Sequence, residues 1–198
     1  VAAAHAARKA VLGVLAAAVV SVGLWLVLQM FVVQVFTVTA ASMQPTLMPG
    51  DRVVVLRPTL DREIQPGDIV VADVRGTFVA GRPTTGPRAG TVLSPAPPDA
   101  YVVKRAVAGP GDRVTCCDDD GRVLVNGQPL DEPYVPDAVA PSRQPFDILV
   151  PAGRWWLMGD NRAVSDDSRS HLGSPGGGTV SRQALVGRVA RAVGRGDG

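Results

Sequence analysis

The sequence predicts a mainly β protein: an apolar N-terminal helix that spans a membrane, followed by a domain of short strands curled into a partly closed barrel. Three observations carry this. Residues 11–36 contain no charged side chain. Beyond them the apolar runs are short and rich in valine, as half-buried strands are. Between those runs a Pro-Gly-Asp turn recurs, at Pro49-Gly50-Asp51, Pro66-Gly67-Asp68 and Pro110-Gly111-Asp112.

Residues 1–10 form a short head whose charges are Arg8 and Lys9. The apolar run at 11–36 is interrupted by Ser21, Gln29 and Gln34 as its strongly polar residues. As a helix it would reach about 39 Å, enough to cross a hydrocarbon core of roughly 30 Å with some tilt. A cleavable signal peptide has a shorter apolar region, about 7–15 residues. Thr39-Ala40-Ala41 nevertheless reads as a small-residue cleavage sequence. The basic head places the N-terminus in the cytoplasm and sends the remainder across. The reading is a retained signal anchor in the cell membrane, crossing once, with an extracytoplasmic domain at 37–193 and a tail at 194–198.

In that domain, residues 52–56 and 69–71 each follow a Pro-Gly-Asp turn as strands. The run at 101–108 is a longer strand, and 122–125 enters Asn126-Gly127, a hairpin signal. Residues 146–150 and 155–158 are strands separated by Pro151-Ala152-Gly153-Arg154. Residues 183–193 close the domain as a strand, with a short helix as the alternative. Glycine, proline, threonine and alanine dominate 76–98, which reads as an exposed flexible loop.

Charge excludes one class of partner. The 198-residue chain carries a net charge of +2, supplied by Arg8 and Lys9, and later charges cancel. No basic patch with interleaved aromatics points to nucleic acid. Cys116 and Cys117 are adjacent, and linkage between neighbours is uncommon. With Asp118, Asp119 and Asp120 they invite a metal reading, but no second ligand cluster at zinc-like spacing accompanies them. No metal or cofactor is expected.

The chemistry starts from lysine usage. The chain has eighteen arginines and two lysines, so Lys104 is the one lysine after the head. Arginine cannot release its proton near neutral pH, whereas a desolvated lysine can. Lys104 is therefore a candidate general base. Its candidate nucleophile is Ser42, in Ser42-Met43-Gln44-Pro45-Thr46-Leu47 immediately after the apolar segment. A serine hydroxyl needs a nearby proton acceptor before it attacks an amide carbon efficiently.

A third run, Gly159-Asp160-Asn161-Arg162-Ala163-Val164-Ser165-Asp166-Asp167-Ser168-Arg169, completes a pattern. The order of the three runs behind a single N-terminal anchor resembles the bacterial type I signal peptidases, in their Gram-positive and actinobacterial form. The resemblance extends from the anchor to about Gly187. It implies a signal-peptidase-like β fold, with Ser42 as nucleophile and Lys104 as base in an acyl transfer that removes signal peptides from exported preproteins. Ser165 matches a residue that hydrogen-bonds and orients the base. Asp160 and Arg105 match a supporting pair, and Asp167 and Arg169 belong to the same box. The Ser42 backbone amide is the leading oxyanion donor. Some relatives add a serine hydroxyl two positions earlier, where this chain has Ala40. Two further positions of the box are Ala163 and Val164, where an acidic residue and an asparagine often stand.

Met43 and Val54 are substrate-pocket candidates by the same analogy. The implied partners are preproteins with Ala-x-Ala-like cleavage sites, membrane lipid and the secretion machinery. Three alternatives stay open on the residues themselves. His171 with Asp166 or Asp167 would make a Ser–His–Asp hydrolase. A Ser–Lys endopeptidase could act on another exported substrate. A membrane-tethered β module could bind envelope proteins without cutting them.

Overall fold

A computed structural model describes residues 2–31, 33–56, 63–78, 101–136 and 139–194. Helix α1 spans Ala2–Phe31. Its described side chains, residue 8 and residues 11–25, are all exposed, including Leu12, Leu15, Val19 and Trp25. Among the described residues no helix is long and apolar enough to cross a membrane.

The helix ends earlier than its apolar composition suggested. Val33–Thr37 is strand β1, paired antiparallel with β2 at Arg52–Leu56. The alternation in Val33-Gln34-Val35-Phe36-Thr37 favours an extended path once a partner edge is present, and that ladder shortens the helix expected through Phe36. Between the two strands, Ala41–Met43 forms a 3-10 turn.

The remaining strands are β3 (Ile69–Asp73), β4 (Tyr101–Ala108), β5 (Arg113–Cys116), β6 (Val123–Val125), β7 (Gln128–Pro129), β8 (Phe146–Leu149), β9 (Arg154–Met158), β10 (Val180–Ser181) and β11 (Leu185–Val193). A seven-stranded sheet runs β1-β2-β11-β3-β4-β9-β10, and a four-stranded sheet runs β7-β6-β5-β8. All these pairs are antiparallel. The curled sheet is a partly closed barrel behind a single N-terminal helix, as the sequence predicts.

Asn126 and Gly127 both take positive φ, 53° and 77°, as the two-residue turn between β6 and β7 requires. The reversal after β8 carries the chain from one sheet into the other, so β8 and β9 are not paired. Residues 183–193 use both structures considered for them: a 3-10 turn at Arg182–Ala184 leads into β11. Residues 79–98 of the expected flexible loop lie outside the described residues. Cys116 and Cys117 are joined to each other in a disulfide despite their adjacency, and no metal-binding group of side chains occurs among the described residues.

Three apolar clusters involve the large sheet, one of them joining Val107, Trp156 and Met158 to Val114, Val123 and Phe146 of the smaller sheet. A second gathers Val70, Ala72, Ala106 and Leu157 on one face of the large sheet. Another gathers Val38, Met43, Leu47, Val53, Val55 and Val71.

Candidate active site

Strand alternation puts Lys104 on the same face of β4 as Val102 and Ala106, with Val70 directly across on β3. An ammonium there loses most of its hydration. Lys104 is 3% exposed, and its Nζ lies 2.8 Å from Ser42 Oγ. Burial lowers its pKa to about 8, against the opposing pull of the Asp167, Asp166 and Asp160 carboxylates. When charged, the ammonium donates to the hydroxyl oxygen. When neutral, it can accept the hydroxyl proton across the same contact.

Ser42 is held by its own main chain. Its turn packs through Met43 into the apolar cluster, and Asn161 clasps its carbonyls. The Asn161 N–H donates to the Ser42 carbonyl at 3.0 Å, and Asn161 Nδ2 donates to the Ala41 carbonyl at 3.2 Å. Gly159 has no room for a β-carbon, which would collide with the Ser42 carbonyl oxygen and with Ser165 Oγ. The Ser42 amide opens a helical turn, where leading N–H groups have no intrahelical acceptor.

Two buried ion pairs brace the surrounding loops. Arg105 forks onto Asp160, with Nε to Oδ1 at 2.9 Å and Nη2 to Oδ2 at 2.6 Å. Asp160 is fully buried and also accepts from Thr46 Oγ1 at 2.5 Å. The second fork joins Arg169 to Asp167 at 2.8 and 2.7 Å, and Asp167 also accepts from the Gly159 N–H at 2.9 Å. Burial pushes the Asp167 carboxyl up. The Arg169 guanidinium and that N–H outweigh it and hold the pKa below the ordinary carboxylate value.

The structure thus brings together Ser42 with Lys104, Arg105 with Asp160, and Asp167 with Arg169. Ser165 is different. Its Oγ is buried without a partner in hydrogen-bond geometry among the described residues, although it stands near enough to Asp167 to favour that carboxylate. Lys104 turns its amine to Ser42 instead. The two substrate-pocket candidates lie toward opposite faces of β2. Met43 is fully buried beside Val53 and Val55, whereas Val54 alternates onto the opposite face of β2, across from Val35 and Arg191. His171 pairs with Asp166 at 2.9 Å and stacks on Phe78 with ring centroids 4.4 Å apart, while the Ser42 hydroxyl meets the lysine.

The sequence pattern assigned no role to Thr46, Gly159, Asn161 or Arg162, although all stand inside the runs it singled out. Glu132 and Tyr134, which reach Arg162 and Arg105, gave no signal at all. Contacts across such separations have no periodicity to reveal them.

Comparison with known proteins identifies the family. A family model described as signal peptidase, peptidase S26, matches residues 11–193. The chain is 32% identical to a probable signal peptidase I of Mycobacterium leprae, over 87% of this chain and 72% of that one. It is 34% identical to a signal peptidase I of Mycobacterium tuberculosis, over 87% of this chain and 68% of the relative. Among solved structures, a signal peptidase I from Enterococcus faecalis aligns with a TM-score of 0.44 at 23% identity, over 65% of this chain and 98% of that one. The assignment rests on the family match and the sequence relatives. By them the chain belongs to the bacterial type I signal peptidases of peptidase family S26, hydrolases of the serine-peptidase class.

Proposed function

We propose that this chain removes signal peptides from exported preproteins through an acyl-enzyme on Ser42, with Lys104 as the general base. The observation that carries the reading is the 2.8 Å approach of a buried lysine amine to a serine hydroxyl. At pH 7 an amine with a pKa of about 8 is neutral about one tenth of the time. At the reference pKa the neutral fraction would be about one part in 2,500. Desolvation therefore supplies the reactive form.

The neutral amine takes the Ser42 proton as Oγ bonds to the scissile carbonyl carbon. Negative charge moves to the carbonyl oxygen, for which the Ser42 N–H is the nearest candidate donor. Collapse breaks the C–N bond, and the ammonium returns its proton to the departing amine of the mature protein. The signal peptide remains as an ester on Ser42. Lys104 then deprotonates a water that attacks the ester, restoring the hydroxyl and releasing a carboxylate. Ala40 supplies no hydroxyl for a second oxyanion donor.

Asp160 with Arg105, and Asp167 with Arg169, hold the loops around the pair. The described apolar side chains of α1, within residues 11–25, are all exposed, so a bilayer is the medium that suits them. That arrangement is a single crossing with the domain on the far face. The substrates are preproteins with small residues before the cut.

Incubation with a preprotein, followed by sequencing of the new N-terminus, tests the reading. A cut after an Ala-x-Ala-like sequence, lost in both folded Ser42→Ala and Lys104→Met, is the expected result. A cut elsewhere would point to another exported substrate, and cleavage surviving either substitution would overturn the mechanism.

A further inference from the structure

We infer that Glu132 and Tyr134, on the irregular segment between β7 and β8, are positioning residues that hold Ser42 and Lys104 in register by clamping Arg162 and Arg105. The inference rests on the function proposed for that pair, in which it performs the chemistry.

The segment is itself well anchored. Leu130 N–H donates to the Val123 carbonyl at 2.8 Å, and Val135 N–H donates to the Glu132 carbonyl at 2.9 Å, closing a turn with Pro133 and Tyr134 at its centre. The Glu132 carboxylate receives both terminal nitrogens of Arg162, with Nη1 to Oε2 at 2.9 Å, and accepts the Tyr134 hydroxyl at 3.0 Å. The Arg162 side chain is 1% exposed and that of Glu132 11%, so this is no solvated surface pair. A two-pronged guanidinium–carboxylate contact fixes orientation as well as distance.

Arg162 transmits that orientation to the nucleophile. Its Nε donates to the Gly159 carbonyl at 3.1 Å. Gly159 and Asn161 form the corner on which Ser42 rests, through the Asn161 N–H and the close approach at Gly159. Tyr134 reaches the other half. The Arg105 guanidinium lies 3.7 Å from the centroid of its ring, a cation–π stack, while the same guanidinium forks onto Asp160. Arg105 immediately follows Lys104 on β4, so tilting it tilts the strand that presents the amine. One short strap therefore bears on both reacting groups from outside the motif runs.

The lysine content of the chain gives a direct readout. With two lysines in the sequence, 13Cε-lysine labelling of the full chain in detergent micelles yields one signal from Lys9 and one from Lys104, assigned by Lys104→Met. If the strap maintains the dry, close geometry, loosening it lets water reach the amine. Glu132→Gln should then move the Lys104 titration upward by about half a unit or more. It should also lower kcat about tenfold or more with KM within about twofold, as misplacement of reacting groups does. Tyr134→Leu should act the same way, and Tyr134→Phe, which keeps the ring over Arg105, should retain at least about a third of kcat.

The inference is overturned if kcat and the Lys104 titration are unchanged in both Glu132→Gln and Tyr134→Leu. It is equally overturned if the loss merely tracks the unfolded fraction seen by circular dichroism. Should Glu132→Gln fail to fold, the contrast between Tyr134→Leu and Tyr134→Phe decides. Wild-type cleavage by Ser42→Ala or Lys104→Met would instead sink the Ser–Lys reading, and the titration would still report whether the strap sets the lysine's surroundings.

Discussion

The carbonyl oxygen of Ser42 rests against the Cα of Gly159, in space that a β-carbon at that position would fill. Ser165 Oγ occupies the same space. Gly159→Ala must displace both. Overpacking of this kind destabilises by about 1–3 kcal/mol. A shift of the Ser42 main chain should lower preprotein cleavage about 100-fold. Urea unfolding and a cleavage assay on the same preparation check both figures.

The lowered pKa of Lys104 has two pH signatures. Cleavage, as kcat/KM, should rise with pH and level off above about 8 as the amine becomes neutral. Stability should also rise, because between about pH 8 and the unfolded value near 10.4 the unfolded chain binds more protons. The gain across that window is about 3 kcal/mol. Below it both states are protonated and the full penalty of the buried charge remains. Lys104→Met should therefore be inactive yet more stable than the wild type at pH 7, with the gap closing above pH 10. Denaturant unfolding at the two pH values measures it.

Asp160→Asn leaves the Arg105 guanidinium, 12% exposed, facing a neutral amide. Breaking a buried pair from one side costs about 3–5 kcal/mol. Thr46→Val removes one hydrogen bond to the same carboxylate and should cost about 1 kcal/mol. Because both act on one carboxylate, their effects should not add, and a double-mutant cycle by thermal unfolding will show it.

Acid should act through Asp167. Its folded pKa lies below the unfolded value of about 3.9, so its stabilisation is present above that value and is lost as pH falls through the folded pKa. Asp167→Asn should flatten acid unfolding below about pH 4, followed by tryptophan fluorescence.

His171→Ala should be nearly silent. The imidazole pairs with a largely exposed carboxylate on Asp166, an interaction worth less than about 1 kcal/mol, and its stack on Phe78 adds about 0.5–1.5 kcal/mol. Cleavage within about twofold of the wild type is expected. A large loss would revive the serine–histidine alternative.

Local chemistry made much of this architecture legible. The turn at Asn126-Gly127 and the valine-rich strands followed from backbone preference, and composition alone singled out Lys104. What escaped was set by tertiary partners. Residues 33–37 look apolar enough to prolong a helix, yet an available edge on β2 makes them a strand. Met43 and Val54 stand together by analogy alone: Met43 packs against Val53 and Val55, and strand alternation turns Val54 to the other face of β2. Glu132 and Tyr134 lie far in sequence from the arginines they grip, and no local pattern marks such meetings.

The order of strands has a consequence for assembly. β11, the last strand in chain order among the described residues, lies between β2 and β3 and is the seam joining the hairpin next to Ser42 to the strands that present Lys104. Until that late segment has been made and inserted, the two sides share no ladder. Docking of β11 is consequently the step that ties the hairpin flanking Ser42 to the strand carrying Lys104, so the pair is gathered late in folding rather than by local structure.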